Sequence, residues 1–270
     1  MAGFQQTRSR LLLRIVGYST VAFLFAPICI IVIASFNDSA FMSFPPENWS
    51  FRWYENFFAA RQWYEPAIFS FQVAIVASVC ATILGTLVAI ALVRGRFPGR
   101  AALEMFFISP MVVPIIVLAV GFYFMFSAFD LIGNPISLYI GHTVLAVPLV
   151  IVVVTAALRT TDASIELAAR SLGASMFKTM WFVTLPSIRP AIVSGAVFAF
   201  LISFDEVVIA VFLGGPTATT LPKRMWDSIK YEVDPTLLAV SSLLIFATVG
   251  LMVAVELVRS RYERGSNHSR

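Results

Sequence analysis

The sequence predicts an all-α membrane protein with six transmembrane helices and both termini in the cytoplasm. Three observations carry that expectation. First, 59% of the 270 residues are hydrophobic and only 13% are charged, with a mean hydropathy of +0.86; a soluble globular domain is roughly half apolar and a quarter charged. Second, six apolar stretches long enough to cross a bilayer fall near residues 15–36, 67–93, 101–127, 136–158, 187–213 and 236–258. Third, the basic residues are one-sided: of the 19 Lys and Arg, fourteen lie in the amino end, the turn after the second stretch, the connection after the fourth and the tail. The remaining five, Arg52, Arg61, Lys223, Arg224 and Lys230, fall on the other side. Basic residues accumulate in cytoplasmic loops, which sets the orientation. No composition shift marks a soluble domain and no fixed-period repeat is present, so residues 1–270 are expected to form a single transmembrane domain.

The first span follows Arg8, Arg10 and Arg14, the order of a signal peptide. Its apolar run from Ile15 to Phe36 is too long for one, and no A-x-A pattern closes it, so it is expected to stay as a span. The two cysteines, Cys29 and Cys80, sit in apolar runs and read as buried small hydrophobes rather than a disulfide or metal site. The outer loop 37–66 is rich in Trp49, Trp53, Tyr54, Trp63 and Tyr64, which suit a membrane–water interface or a partner surface. The third span contains "SPMVVP", where Pro110 and Pro114 remove backbone donors, as Pro148 does in the fourth; kinks that line a cavity and ordinary packing kinks both fit. His142 and His268 are the only histidines and assemble no metal cluster. Nucleic-acid binding is excluded for want of a basic cluster interleaved with aromatics.

The connection 160–186, "TTDASIELAARSLGASMFKTMWFVTLP", begins with Thr161 or Asp162 as a helix cap and Glu166 in the first turn, where the helix dipole favours an acid. Ile165, Ala168, Ala169 and Leu172 then share one face, and Gly173 suits the left-handed stop that ends many helices. Such a helix docks into a groove on a soluble partner or lies on lipid; periodicity alone does not separate the two.

The fifth span carries adjacent acids, Asp205 and Glu206, in "SFDEVVIAVFL". A charge at mid-bilayer costs roughly 2.5–3.5 kcal/mol on insertion scales, so these acids mark a pathway or a structural pairing. Adjacent residues point about 100° apart on a helix, which leaves room for different roles. The loop "GGPTATTLP" then precedes a short helix from Lys223 to Tyr231, as a turn or as a receiving surface for a partner. Near the end of the sixth span, Glu256 and Arg259 have the spacing of an interfacial ion pair.

The connection resembles the "EAA" loop of the permease subunits of ABC importers: Ala168, Ala169 and Gly173 match, and Leu185-Pro186 stands at the family's distance. It departs at one place, where Leu167 precedes the alanines and the glutamate comes one residue earlier, at Glu166. "FISPMVVPIIVLAVGFY" and the stretch from "SFDEVVIAVFLGGPTATTLPKRMWDSIKYEVDP" onward resemble the second permease of spermidine/putrescine-type importers, a likeness covering about residues 15–260. It implies the MetI-like type I importer fold in a bacterial inner membrane, with a second, different permease, two cytosolic ATPase subunits and an external substrate-binding protein as partners. It also implies that Glu166, Ala168, Ala169, Leu172 and Gly173 couple to the ATPase, and that this chain holds no cofactor, ATP and Mg²⁺ belonging to the partner. The chain has no GxxxxGK[ST] phosphate loop, in keeping with that division. For a polyamine, Asp205 and Glu206 would meet the ammonium groups, with Ser203, Phe122, Tyr123 and Phe124 lining the path. The same architecture serves ferric iron, thiamine and aminophosphonates. A channel is the rival from another class; an intramembrane enzyme is disfavoured because no acid/His or Ser/His set is evident.

Overall fold

A computed structural model describes residues 2–41 and 43–267, with side chains over 13–41, 43–250 and at 253. Helix covers each of the six apolar stretches. In chain order the helices are α1 (Ala2–Ala34), α2 (Arg52–Ala59), α3 (Arg61–Arg94), α4 (Arg100–Val112), α5 (Ile115–Ser127), α6 (Pro135–Thr160), α7 (Ala163–Ser171), α8 (Met176–Thr179), a π-helical turn (Met180–Thr184), α9 (Leu185–Ser187), α10 (Arg189–Asp205), α11 (Val208–Leu213), α12 (Leu221–Tyr231) and α13 (Thr236–Asn267). Among the described residues, three segments are unbroken helix long and apolar enough to cross a membrane: Leu13–Ala34, Arg61–Arg94 and Pro135–Thr160.

The third and fifth spans are bent pairs of helices. α4 and α5 meet at 103°. Pro114, with no N–H to give, caps α5, and the residue before a proline is held extended, as Val113 is at ψ 133°. Pro110 and Pro148 lie inside α4 and α6, which continue through them. The helical run Met176–Ser187 meets α10 at 70°. Ile188 takes up that bend and is fully buried, with Pro190 opening α10. At its other end α10 stops at Asp205, and α11 starts afresh at Val208.

The chain divides into two compact units, Met1–Tyr64 with Ser228–Arg270, and Glu65–Asp227. In the first, α13 packs on α1 and α2. Trp53 and Trp63 are buried there, Trp53 donating Nε1–H to the Asn37 carbonyl at 2.8 Å and Trp63 to Asp234 at 3.0 Å. Tyr54 joins Ser35 at 2.6 Å and donates to Ser242 at 3.1 Å. The outer-loop aromatics are therefore partly core anchors; Trp49 alone of the three tryptophans is exposed. Cys29 is exposed on α1, contrary to expectation, because none of the apolar window of α1 is buried within the chain: its hydrophobicity is matched to lipid, not to a core. Cys80 is half-buried. The side chains of Glu256 and Arg259 lie outside those described, as does His268 altogether.

In the second unit, α3, α6 and α10 meet around Ala81, Ala89, Leu92, Val150, Ile151, Val154 and Ala199. Small residues allow the approach, as is usual where lipid removes the hydrophobic drive between helices. A Cβ on Gly85 would lie 2.8 Å from Val150 Cβ, and one on Gly195 3.5 Å from Val150 Cγ1, so Val150 sits in a notch between two glycines. Ser78 on α3 donates to the Ala196 carbonyl on α10 at 2.7 Å. A second cluster joins α3, α5, α6 and α11 through Val73, Ala119, Phe126, Leu138, Ile209 and Leu213.

Candidate substrate pathway and coupling segment

The two acids occupy the interruption between α10 and α11 and have different surroundings. The Glu206 backbone is extended, and its Oε1 accepts the N–H groups of Val208 at 2.6 Å and Ile209 at 3.0 Å. Those are among the N–H groups that a restarting helix leaves without partners. Glu206 is thus the side chain that restarts the helix. Asp205 is exposed, and its carboxylate makes no hydrogen bond or ion pair among the described residues. Leu201, Ile202, Asp205 and Glu206 line an open recess of about 340 Å³, which combines apolar walls with an available carboxylate.

The other expected lining residues lie elsewhere. Ser203 is buried, and both its hydroxyl and its carbonyl stand within 3.0 Å of His142 Nδ1 on α6. Phe122 packs against the cluster around Val73 and Ile209 and against the ring of Phe126 at 6.0 Å. Tyr123 and Phe124 are exposed on α5, their rings 5.8 Å apart. None of the three aromatics borders the recess. His142 is the functional neighbour that sequence reasoning passed over: a polar residue in an otherwise apolar run, considered only as a metal ligand, it ties α6 to α10 two residues from Asp205.

The connection after α6 folds as its sequence implies. Asp162 caps α7, accepting from the Ser164 N–H at 2.8 Å and the Ser164 hydroxyl at 2.7 Å. Those two bonds hold its carboxyl below the usual aspartate value, the backbone bond contributing most. Gly173 follows at φ +89°, the conformation glycine adopts without penalty. Ile165, Leu167 and Leu172 are exposed, as is Ala168, whereas Ala169 is half-buried. Glu166 points into its own chain. The Arg94 Nε lies 3.1 Å from both its oxygens, and the Thr184 hydroxyl donates to Oε1 at 3.1 Å. In the sequence Arg94 is one of the basic residues of the turn after the second span, and Thr184 carries no signal of its own.

Apolar helices suited to a bilayer, broken at an exposed acid and joined by a capped helix on the connection, define a multi-span membrane protein. Residues 81–267 match the family model for the binding-protein-dependent transport system inner membrane component. The chain belongs to that family, whose members are permease subunits of ABC transporters rather than enzymes. It is 34% identical over 264 residues to the putrescine transport system permease protein PotI of Escherichia coli (strain K12), covering 94% of this chain and 92% of that one. It is also 34% identical over 248 residues to the spermidine/putrescine transport system permease protein PotC of Haemophilus influenzae, covering 92% and 94%. In fold it is similar to a chain of the bacterial ABC transporter involved in import of the acidic polysaccharide alginate. The TM-score is 0.69 at 14% identity, covering 93% of this chain and 95% of that one.

Proposed function

We propose that this chain is one of two different permease subunits of an importer that carries a polyamine, of the putrescine or spermidine kind, across a bacterial inner membrane. Two cytosolic ATPase subunits hold ATP and Mg²⁺ and supply the energy, and an external binding protein delivers the solute. Both termini and the connection carrying α7 face the cytoplasm, where Ala168, Ala169, Leu172 and Gly173 form the part of that connection offered to the ATPase.

The observation that carries the solute class is Asp205, exposed beside Leu201 and Ile202. A polyamine alternates ammonium groups with methylene segments, so an unengaged carboxylate flanked by aliphatic walls matches its chemistry. Similarity to two polyamine permeases over more than nine-tenths of the chain supports the same reading. Glu206, whose carboxylate is engaged by two backbone donors, acts by fixing the break that presents Asp205.

The test is uptake and ATP hydrolysis by the reconstituted complex, supplied with binding protein loaded with putrescine, spermidine, ferric iron or thiamine. Stimulation by a polyamine alone, with uptake abolished by Asp205→Asn in an assembled complex, is the expected result. Stimulation only by ferric iron or thiamine, or normal polyamine uptake in the Asp205→Asn complex, refutes the assignment.

A further inference from the structure

A polar joint ties the connection carrying α7 to the membrane helices. Glu166 of α7 receives Arg94, the last residue of α3, and Thr184, which ends the π-helical turn leading through α9 into α10. The side chains of Glu166 and Arg94 are only 16% and 21% exposed. Oε1 already takes two donors, and Oε2 faces the same guanidinium at 3.1 Å. To reach a partner subunit this carboxylate would have to leave a largely buried cation behind, which is strongly unfavourable. Meanwhile α7 exposes apolar side chains beside polar ones: Ile165 is 54% exposed, Leu167 62% and Leu172, just past its end, 89%, with Arg170 and Ser171 also exposed.

We infer that Glu166 is a positioning residue: through Arg94 and Thr184 it passes displacement of α7 to α3 and α10, while contact with the ATPase is left to the exposed side chains of α7, Ile165 and Leu167 among them. The inference rests on the reading of α7 as the ATPase-coupling helix. Geometry makes the joint suitable. A planar guanidinium and a carboxylate fix direction as well as distance, and π-helical turns often mark functional sites in helices. α10 then carries the movement to Leu201, Ile202 and Asp205 at the recess.

The experiment uses the complete complex and no transported solute. With Cys29 and Cys80 replaced by serine, Ser171→Cys reports cross-linking of α7 to the ATPase, and a separate chain carrying Ile202→Cys bears an environment-sensitive fluorophore at the recess. Trapping the ATPase with ATP and vanadate should change the fluorescence. Glu166→Ala should reduce that change about tenfold, within the range of ordinary coupling energies, while the cross-link persists. Glu166→Gln, which keeps an acceptor for Thr184, should lie between and is read instead if the alanine variant does not assemble. Exchanging the charges by Arg94→Glu with Glu166→Arg should recover at least half of the change; a carboxylate that contacts the ATPase directly would not be rescued. An unaltered signal in both Glu166 variants, or no recovery in the exchanged pair, overturns the inference while leaving α7 as the coupling helix. Absence of the cross-link in the parent complex removes the coupling reading, and this inference with it.

Discussion

Substitutions at Glu206 separate a capping role from a solute-binding one. Alanine removes the acceptor of two N–H groups, at 2.6 and 3.0 Å, in the first turn of α11. Loss of a helix cap costs about 0.5–2 kcal/mol, and donors left unpaired in half-buried surroundings push the cost to the upper end. About 2 kcal/mol is a roughly thirtyfold shift in the equilibrium that keeps the break formed. For a chain of this size it lowers the midpoint of thermal unfolding by about 4–8 °C. Glutamine keeps a carbonyl oxygen at the same reach, so Glu206→Gln should retain most of the stability and polyamine uptake within about threefold. Unfolding of the purified complex in detergent and uptake in proteoliposomes are measured on the same preparations. If Glu206→Gln proves as stable as the parent yet fails to transport, the carboxylate meets the solute itself and the division of labour between the two acids is wrong.

Two further outcomes follow from the geometry. Gly85→Ala places a methyl 2.8 Å from Val150 Cβ and Cγ1, an overpacking worth about 1–3 kcal/mol; the midpoint should fall, and Val150→Ala in the same chain should recover part of the loss, whereas an additive loss would contradict the notch. Asp162 has a carboxyl held below the usual aspartate value by Ser164, so its contribution to α7 is complete above the ordinary aspartate range and disappears as pH falls through the lowered value. Hydrogen-exchange protection of the first turn of α7 should therefore drop on acidification below about pH 4 and be independent of pH in Asp162→Asn, which caps comparably.

Much of this arrangement is legible in the chain because local signals agree. Asp162 and Gly173 delimit α7 by mechanisms that need only a few neighbouring residues, a side-chain acceptor at one end and a positive φ at the other. Apolar length placed the spans, since a bilayer imposes it. Hydropathy averages over a window, however, and hides interruptions: the break at Val113-Pro114 and the restart after Glu206 are backbone events inside runs that are apolar on average. The aromatics around Tyr123 were grouped with the acids by chemical suitability, a criterion that contains no information about which faces of α5 and α10 meet. Arg94–Glu166–Thr184 and His142–Ser203 join residues 18 to 72 positions apart, distances at which one sequence specifies a partner only through the finished packing.

The irregular ends of α10 give its regular middle a purpose. Between the bend at Ile188 and the stop at Asp205 the helix is continuous for 17 residues, about 25 Å at the ordinary rise. Near its middle it is held by Val150 in the notch beside Gly195 and by the Ser78 bond to Ala196. Helices packed through small residues slide or tilt more readily than they bend, because bending breaks backbone hydrogen bonds that lipid does not replace. If α7 couples to the ATPase as inferred, a displacement that reaches α10 past the bend at Ile188 is carried along the helix to Asp205 as a rigid movement. On the same inference, the break at Glu206 would let that movement end there, with α11 held in the cluster around Val73 and Leu138. A continuous helix through Glu206 would drag the cluster with it, and the acid would keep the same neighbours in every state.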